Sequence, residues 1–127
     1  DKSRSRGLGD VYKRQGSGTL FRDGEYIPLF KVQPVYPRRA QERGTEGYVI
    51  LAFTITESGT IENPYIIEGK CRSANNRDGD FRECSMFNSA AMRAASKLKY
   101  KPTVRDGRAV AVDDVPHKFT FELEDEA

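Results

Sequence analysis

The chain has 127 residues, 37% of them hydrophobic, and a formal net charge of +2. This length fits a single domain with a modest core. No apolar run approaches the roughly 18 residues that a membrane-spanning helix needs, which excludes such a helix within this sequence.

The first fifteen residues hold the whole basic excess. They carry five basic and two acidic side chains and contribute +3, so the other 112 residues sum to −1. The stretch has no amphipathic period and no apolar anchor, which predicts disorder. Its last letters, DVYKRQ, resemble the translation of a transposon-derived sequencing adapter, and we interpret residues 1–15 as an artefact. A basic arm for nucleic acid or anionic lipid is the alternative, but the rest of the chain predicts no nucleic-acid partner.

The first ordered segment is predicted where two prolines flank a valine and a tyrosine. A residue before proline is pushed out of the helical region, so Pro34 and Pro37 predict an extended arm over Gln33–Tyr36. Pro37 suits the first helical position, and a short helix over Arg38–Arg43 ends where Gly44 can adopt the left-handed conformation. Such an arm serves either as a packing brace or as a recognition surface.

Two strands joined by a glycine turn follow. Apolar side chains alternate at period two along Tyr48–Thr56, which is typical of a half-buried strand. The turn allows Gly59 a positive φ, and Ile61–Glu68 returns as the second strand. Pro64 cannot donate to a strand ladder, so the second strand should have a free side or a local bulge there.

The spacing then changes to that of a helix in MFNSAAMRAASKLKY. It predicts a helix over Met86–Tyr100, with Ser85 as its cap and Pro102 beyond its end. Small alanines on its apolar stripe allow the helix to lie close to a sheet. The stripe consists of Phe87, Ala91, Ala94 and Leu98.

The last predicted strand follows a turn at Asp106-Gly107. The order of elements predicts an α+β fold, with a three-stranded antiparallel sheet, one long helix packed on a face and a short N-terminal helix. We divide the chain into residues 1–29, an artefact with a disordered or extended lead-in, residues 30–124, the domain, and residues 125–127, an acidic tail. The residues of the last strand that we expect to face the helix are Val115, His117, Phe119, Phe121 and Leu123.

Several motifs in a fixed order resemble the C-terminal domain of TonB, the periplasmic energy transducer of Gram-negative bacteria. These are QPVYPRRAQERG, the strand beginning GYV, the glycine hairpin, the alanine-rich helix that runs into KYKP, and the final strand HKFTFELE. The resemblance covers about residues 30–124 and implies the same fold. Leu98 departs from it, because that position is often tryptophan in the family.

The resemblance implies a function and a set of partners. Such a domain binds the TonB box, a short segment of outer-membrane transporters, by addition of a β-strand to its last strand. Proton-gradient energy, supplied through ExbB and ExbD and an N-terminal membrane helix expected upstream, then drives uptake of siderophores, vitamins or other nutrients. The implied location is the periplasm, with an inner-membrane anchor. Carried over to this chain, the partner-binding residues are Gln33, Pro34, Val35, Tyr36, Pro37, Pro116, His117, Lys118, Phe119, Thr120, Phe121, Glu122 and Leu123.

Two further interpretations stay open at this point. A TonB-like periplasmic module that scaffolds or senses, without energy transduction, is the alternative function. An open sheet also has two edges that must be blunted or used, so a homodimer through exposed edges is a candidate assembly.

A long polar loop between the second strand and the helix is bracketed by Cys71 and Cys84. A disulfide that closes a loop of this size stabilises a fold by roughly 3 kcal/mol on the chain-entropy model. Two cysteines around one loop fit the oxidising periplasm that the resemblance implies. We therefore predict a Cys71–Cys84 disulfide, with two free thiols in a cytosolic protein as the alternative.

The sequence gives little support to an enzyme. His117, the only histidine, is predicted on an apolar strand face, where a packed histidine is commoner than a catalytic base. No residue marks either cysteine as an activated nucleophile. Two cysteines and one histidine also lack the CxxC spacing and the fourth ligand of a zinc site. We predict a binding domain without catalytic residues, metal or cofactor.

Overall fold

The computed structural model describes residues 26–124, so the predictions for residues 1–15 and for the acidic tail lie outside the described residues. Within this range no helix has the length and apolar character that crossing a membrane requires. A single 3-10 turn, Ala74–Asn76, follows the second strand. In chain order the helices and strands are α1 Arg38–Arg43, β1 Thr45–Ile55, β2 Ile61–Ser73, β3 Arg82–Glu83, α2 Asn88–Ala95, β4 Thr103–Arg105, β5 Arg108–Val110 and β6 Val112–Phe121.

The main sheet has four strands in the order β3-β2-β1-β6, and every neighbouring pair is antiparallel. β4 and β5 form a separate two-stranded hairpin. The predicted α+β class with an antiparallel sheet is confirmed. The predicted count of three strands was one too few, because β3 has only two residues, and a strand that short leaves no periodic pattern in the sequence.

The core lies between one face of the sheet and α2. β1 places Val49, Leu51, Phe53 and Ile55 there, and each is at most 1% exposed. α2 adds four buried alanines, whose small side chains let the helix approach the strands. The stripe predicted for the helix is buried as expected and consists of Phe87, Ala91, Ala94 and Leu98.

α2 is shorter than predicted. It covers Asn88–Ala95 rather than Met86–Tyr100. Phe87 occupies the N-cap position and no side chain caps the helix, so the predicted Ser85 cap was wrong. The Phe87 ring is fully buried and stacks on Phe121, with 4.4 Å between the ring centroids. Packing of this ring, rather than capping chemistry, holds the start of the helix.

The other end of the predicted helix is replaced by contacts with distant parts of the chain. Tyr100 donates its N–H to the Gly59 carbonyl at 2.9 Å, and Lys99 accepts a hydrogen bond from the Leu29 N–H at 2.7 Å. These bonds satisfy backbone groups that a longer helix would have paired internally. Gly59 has the predicted positive φ, 88°, and a Cβ there would lie 2.1 Å from the Tyr100 carbonyl oxygen. Only glycine permits this approach.

β2 carries both features predicted from Pro64. Its register with β1 shifts between Ala52 and Thr54, and Asn63 has a φ of 52° at the bulge. β2 also has no second neighbour at this level, because β3 pairs with it only farther along the strand. The ladder therefore loses nothing by the absence of a proline N–H.

The predicted disulfide is present. Cys71 at the end of β2 is joined to Cys84 just after β3, and their Cα atoms are 5.8 Å apart, which is the usual separation. Cys84 also donates its N–H to the Gly69 carbonyl at 3.1 Å. The covalent link and this hydrogen bond hold the polar loop against β2.

Candidate partner-binding groove

A groove of about 780 Å³ runs between the free edge of β6 and the chain that leads into α1. We call residues 27–34 the arm, and they form one wall of this groove. His117–Thr120 and Glu122 form the opposite wall, and Leu98 contributes to the lining. Parts of the two separate segments assigned to partner binding in the sequence, Gln33–Pro34 and His117–Thr120 with Glu122, thus line one surface.

The arm is held at both ends. Near its start, Pro28 forms a bridge with Tyr100, beside the bond from Leu29 to Lys99. Just beyond its end, the Tyr36 hydroxyl donates to the Thr45 carbonyl at 2.5 Å. These contacts fix the arm as a wall although it belongs to no helix or strand.

Tyr36 is packed as a brace. Its ring meets the rings of Phe87 and Phe121 edge-on, with centroids 5.6 and 5.8 Å away. Burial raises the pKa of Tyr36 to about 12, and the carboxylate of Glu46 adds to the rise. The hydroxyl therefore stays protonated and remains a donor at any physiological pH. Of the two roles open for the extended segment Gln33–Tyr36, Tyr36 itself has the packing role in this structure.

The five predicted residues of the QPVYP motif are placed differently from one another. Gln33 and Pro34 line the groove. Val35 is 71% exposed and does not line it, and Tyr36 packs on the core. Pro37 is the N-cap of α1, with an extended backbone, rather than the first helical residue as predicted.

The other wall is the edge strand β6. It pairs with β1 on one side only, with Phe119 opposite Val49 and Thr120 opposite Tyr48. Phe119 is buried, whereas Lys118 and Thr120 are exposed. Burial of alternate residues fixes the register, because a slip of one residue would expose the apolar set. The strand covers Val112–Phe121, so it begins earlier and ends earlier than the predicted apolar alternation.

Pro116 indicates which backbone groups of β6 face outward. Proline is tolerated in a strand where its missing N–H would have faced away from the neighbour, and Pro116 lies opposite Ala52 of β1 in unbroken register. N–H groups two and four residues farther along an extended strand point to the same side. The N–H groups of Lys118 and Thr120 therefore point away from β1 and toward the groove.

The end of β6 is fixed by a buried ion pair that the sequence analysis missed. Glu46, only 3% exposed, accepts hydrogen bonds from Arg77 at 2.5 and 2.9 Å and from the Leu123 N–H at 2.8 Å. Arg77 also donates to the Leu123 carbonyl at 2.9 Å. The hydrogen bonds from Arg77 hold the pKa of Glu46 below its usual value. In this structure Leu123 belongs to this network and does not line the groove.

The groove combines positive charge with apolar surface. Lys31 and Lys118 line it, with Glu122 as the acidic residue. The Lys118 ammonium lies 4.5 Å from the centre of the Tyr48 ring, on the outer face of the sheet. His117 contacts Phe119 edge-on, with 4.6 Å between the ring centroids.

Three apolar side chains of the arm escaped the sequence analysis. Ile27, Leu29 and Phe30 line the groove and are 72%, 63% and 51% exposed. Solvent-exposed large apolar residues that cluster on one surface are typical of interaction sites. The available signal was the run IPLF before the QPVYP motif, but without periodicity it could not be assigned to a strand or a helix.

Residues 26–124 contain no group of three or more His, Cys, Asp or Glu side chains arranged to hold a metal.

Comparison with known proteins agrees with this architecture. Residues 32–74 match the family described as Gram-negative bacterial TonB protein C-terminal. The chain is 36% identical to Protein TonB of Pseudomonas aeruginosa over 108 residues, which are 85% of this chain and 28% of that protein. It thus spans little more than a quarter of the length of this relative.

Two solved structures are similar over most of the chain. The solution NMR structure of the Pseudomonas aeruginosa TonB C-terminal domain has a TM-score of 0.57 and 31% identity, with 83% of this chain and 93% of that one covered. The TonB2 protein of Vibrio anguillarum has a TM-score of 0.51 and 29% identity, with 96% and 95% covered. The fold is that of TonB C-terminal domains. The chain belongs to the TonB C-terminal domain family.

Proposed function

We propose that this domain is the periplasmic, partner-binding end of a TonB-type energy transducer. It binds the TonB box of outer-membrane transporters by strand addition to β6 and transmits proton-gradient energy for the uptake of siderophores, vitamins or other nutrients. ExbB and ExbD are its partners at an inner-membrane anchor in the full-length protein. The observation that carries the proposal is the groove, because it brings Gln33 and Pro34 together with His117–Thr120 on one accessible surface.

The free edge of β6 supplies the affinity. An extended guest strand gains main-chain hydrogen bonds from backbone groups that face away from β1, such as the N–H groups of Lys118 and Thr120. Buried Phe119 and Phe121 keep these groups in a constant register. The edge is therefore preorganised, and little ordering of the domain is needed when a guest binds.

The arm supplies the second wall. Alternate side chains of a strand point to opposite faces, so every second side chain of the guest can face the arm. Ile27, Leu29 and Phe30 offer this face apolar surface, and Lys31 offers a positive charge. An extended segment with branched apolar residues and an acidic residue fits both properties.

The size of the groove sets the expected strength. One added strand and one short wall bury less than about 1,200 Å² in total, which is the range of transient complexes. We expect weak to moderate affinity, as suits a contact that must be released after each uptake cycle.

Backbone amide NMR of the ¹⁵N-labelled domain with a transporter N-terminal peptide tests the proposal. Shifts should concentrate on His117–Thr120, on Glu122 and on the amides of Leu29–Gln33. Shifts confined to the Cys71–Cys84 loop would contradict strand addition. The absence of binding by every TonB-box peptide of the same genome would favour a scaffolding or sensing module instead.

A further inference from the structure

The segment 97–108, which joins α2 to the β4–β5 hairpin and includes its turn, is strongly cationic. It carries five basic side chains and one acidic, a charge of +4, whereas the rest of residues 26–124 carries ten basic and twelve acidic side chains, a charge of −2. All five cations are exposed. They are Lys97, Lys99, Lys101, Arg105 and Arg108.

The three lysines are held outward by their neighbours. Leu98 and Tyr100, which alternate with them, are 1% and 2% exposed. Burial of these two side chains forces the residues on either side to point to solvent. The backbone here is tied down by the bonds of Lys99 and Tyr100 to Leu29 and Gly59. The lysines therefore form a fixed row rather than a flexible tail.

The two arginines flank the tight turn of the hairpin. Asp106 and Gly107 have φ values of 52° and 78°, as a type I′ turn requires, and Arg105 pairs directly with Arg108. Like charges opposite one another destabilise a strand pair. No ion pair within residues 26–124 joins any of the five cations to a carboxylate, so this repulsion has no internal compensation.

The hairpin also has little packing support from the other helices and strands. It forms no extensive contact with the helices or with the four-stranded sheet. Val104 is 62% exposed and pairs with exposed Ala109, so the hairpin has a small apolar face on the side opposite the two arginines. Long arginine side chains can reach past the backbone while an apolar neighbour contacts a less polar layer.

We propose that the cationic segment 97–108 docks on the surface of an anionic phospholipid bilayer through the tip of the β4–β5 hairpin. Guanidinium groups bind phosphate oxygens with paired hydrogen bonds, and an anion between Arg105 and Arg108 relieves their repulsion. Val104 at the same tip fits the interfacial layer beneath the headgroups. Residues 103–110 contain no aromatic side chain on which bases could stack, which favours lipid over single-stranded nucleic acid. The proposal is independent of strand addition at β6, because it uses neither wall of the groove.

Vesicle co-sedimentation of the full, disulfide-bonded chain tests it. The vesicles contain 30% phosphatidylglycerol in phosphatidylcholine, with pure phosphatidylcholine as the neutral comparison. Each arginine near an anionic surface contributes about a fivefold gain in partitioning, so Arg105→Gln/Arg108→Gln should lower binding by roughly tenfold to thirtyfold. Binding should also weaken with added salt.

The matched control is Arg39→Gln/Arg93→Gln, which removes the same charge from exposed positions in the two helices. It should change partitioning less than threefold and unfold at the temperature of the parent protein. Arg105→Gln/Arg108→Gln should unfold at that temperature or slightly above it, because the repulsion between the two arginines is removed. Equal losses in the two variants would overturn the proposal, because only net charge would then matter. Absence of binding to the anionic vesicles would overturn it as well.

Two further experiments distinguish a phospholipid bilayer from other sources of phosphate. Millimolar inorganic phosphate should fail to displace the protein from vesicles at constant ionic strength, since single phosphates lack the surface potential of a bilayer. A single-stranded DNA oligonucleotide should bind no more tightly than the vesicles. Tighter DNA binding with the same dependence on Arg105 and Arg108 would replace the lipid assignment.

Discussion

The two free edges of the sheet are built differently. On the β2 side, Pro64 removes a donor, the bulge at Asn63 bends the strand, and the loop closed by Cys71 and Cys84 covers the far end through β3. On the β6 side, the register shift and the positive φ of Asp114 come before Val115, and the pairing with β1 is regular from Val115 onward. Natural sheets protect edges that could recruit foreign strands. Although Pro116 removes one outward donor from β6, the regular edge beyond it lies beside an apolar groove, which favours a role in binding. The difference supports our proposal that a guest strand is recruited on the β6 side.

Removal of the disulfide should have the largest effect, and it acts on the closed edge. We expect Cys71→Ala/Cys84→Ala to lower the free energy of unfolding by about 3 kcal/mol, because the unfolded chain regains the entropy of an open loop. Denaturant unfolding measures the loss. In this variant the amide hydrogens at positions 84 and 70 should exchange faster, while those of β1 and β6 stay protected.

The same variant separates the two edges. Affinity for a TonB-box peptide should change less than twofold, since the groove lies on the other side of the sheet. A large loss of affinity would show that the edges are coupled. Mass spectrometry of protein from an oxidising compartment should find Cys71 linked to Cys84, and freely alkylatable thiols would refute the bond itself.

Loss of Glu46 should release the end of the open edge. Glu46→Ala removes the carboxylate that accepts hydrogen bonds from Arg77 and from the Leu123 N–H. We expect a destabilisation of about 2 kcal/mol, reduced from the fully buried case because Arg77 is partly exposed. Glu42→Ala is the matched control. Its exposed pair with Arg38 contributes less than about 0.5 kcal/mol.

The pH dependence of stability gives a second measure of the same ion pair. The pKa of Glu46 is lower in the folded than in the unfolded chain. Its contribution is therefore fully present above the unfolded pKa of about 4.3 and is lost as the pH falls through the folded value. Glu46→Ala should remove this part of the acid destabilisation. Identical acid profiles for both proteins would contradict the assignment.

Proline on the open edge should have the smallest effect on the fold and a clear effect on binding. Thr120→Pro removes an outward N–H, so we expect at least about a tenfold loss of affinity for a TonB-box peptide. Thr120→Ala keeps the donor and should stay within threefold. Thermal unfolding of both variants should lie close to the parent, and strong destabilisation by proline alone would mean that this N–H bonds to β1 instead.

Much of the fold could be predicted because local patterns and tertiary demands agree. Alternation along β1, the glycine turn at Gly59, the alanine stripe of α2 and the cysteine pair each follow from the spacing of residues that must face a core or close a loop. The bulge at Pro64 was equally accessible, since a missing N–H has consequences wherever it occurs.

The length of α2 and the composition of the groove were decided by tertiary contacts. Tyr100 lies outside the helix because its backbone pairs with distant residues instead. It donates its N–H to the Gly59 carbonyl and forms a β-bridge with Pro28. In the sequence Glu46 looks like an ordinary exposed strand carboxylate. Its hydrogen bonds come from Arg77 and Leu123, which are 31 and 77 residues away. The sequence by itself determined where strands, turns and a helix form, because the spacing of apolar residues and the positions of glycine and proline act through neighbours along the chain. Two features depended on where distant segments pack, and no local pattern contains that information. One is which edge of the sheet stays open, and the other is that this edge is lined by Ile27, Leu29 and Phe30.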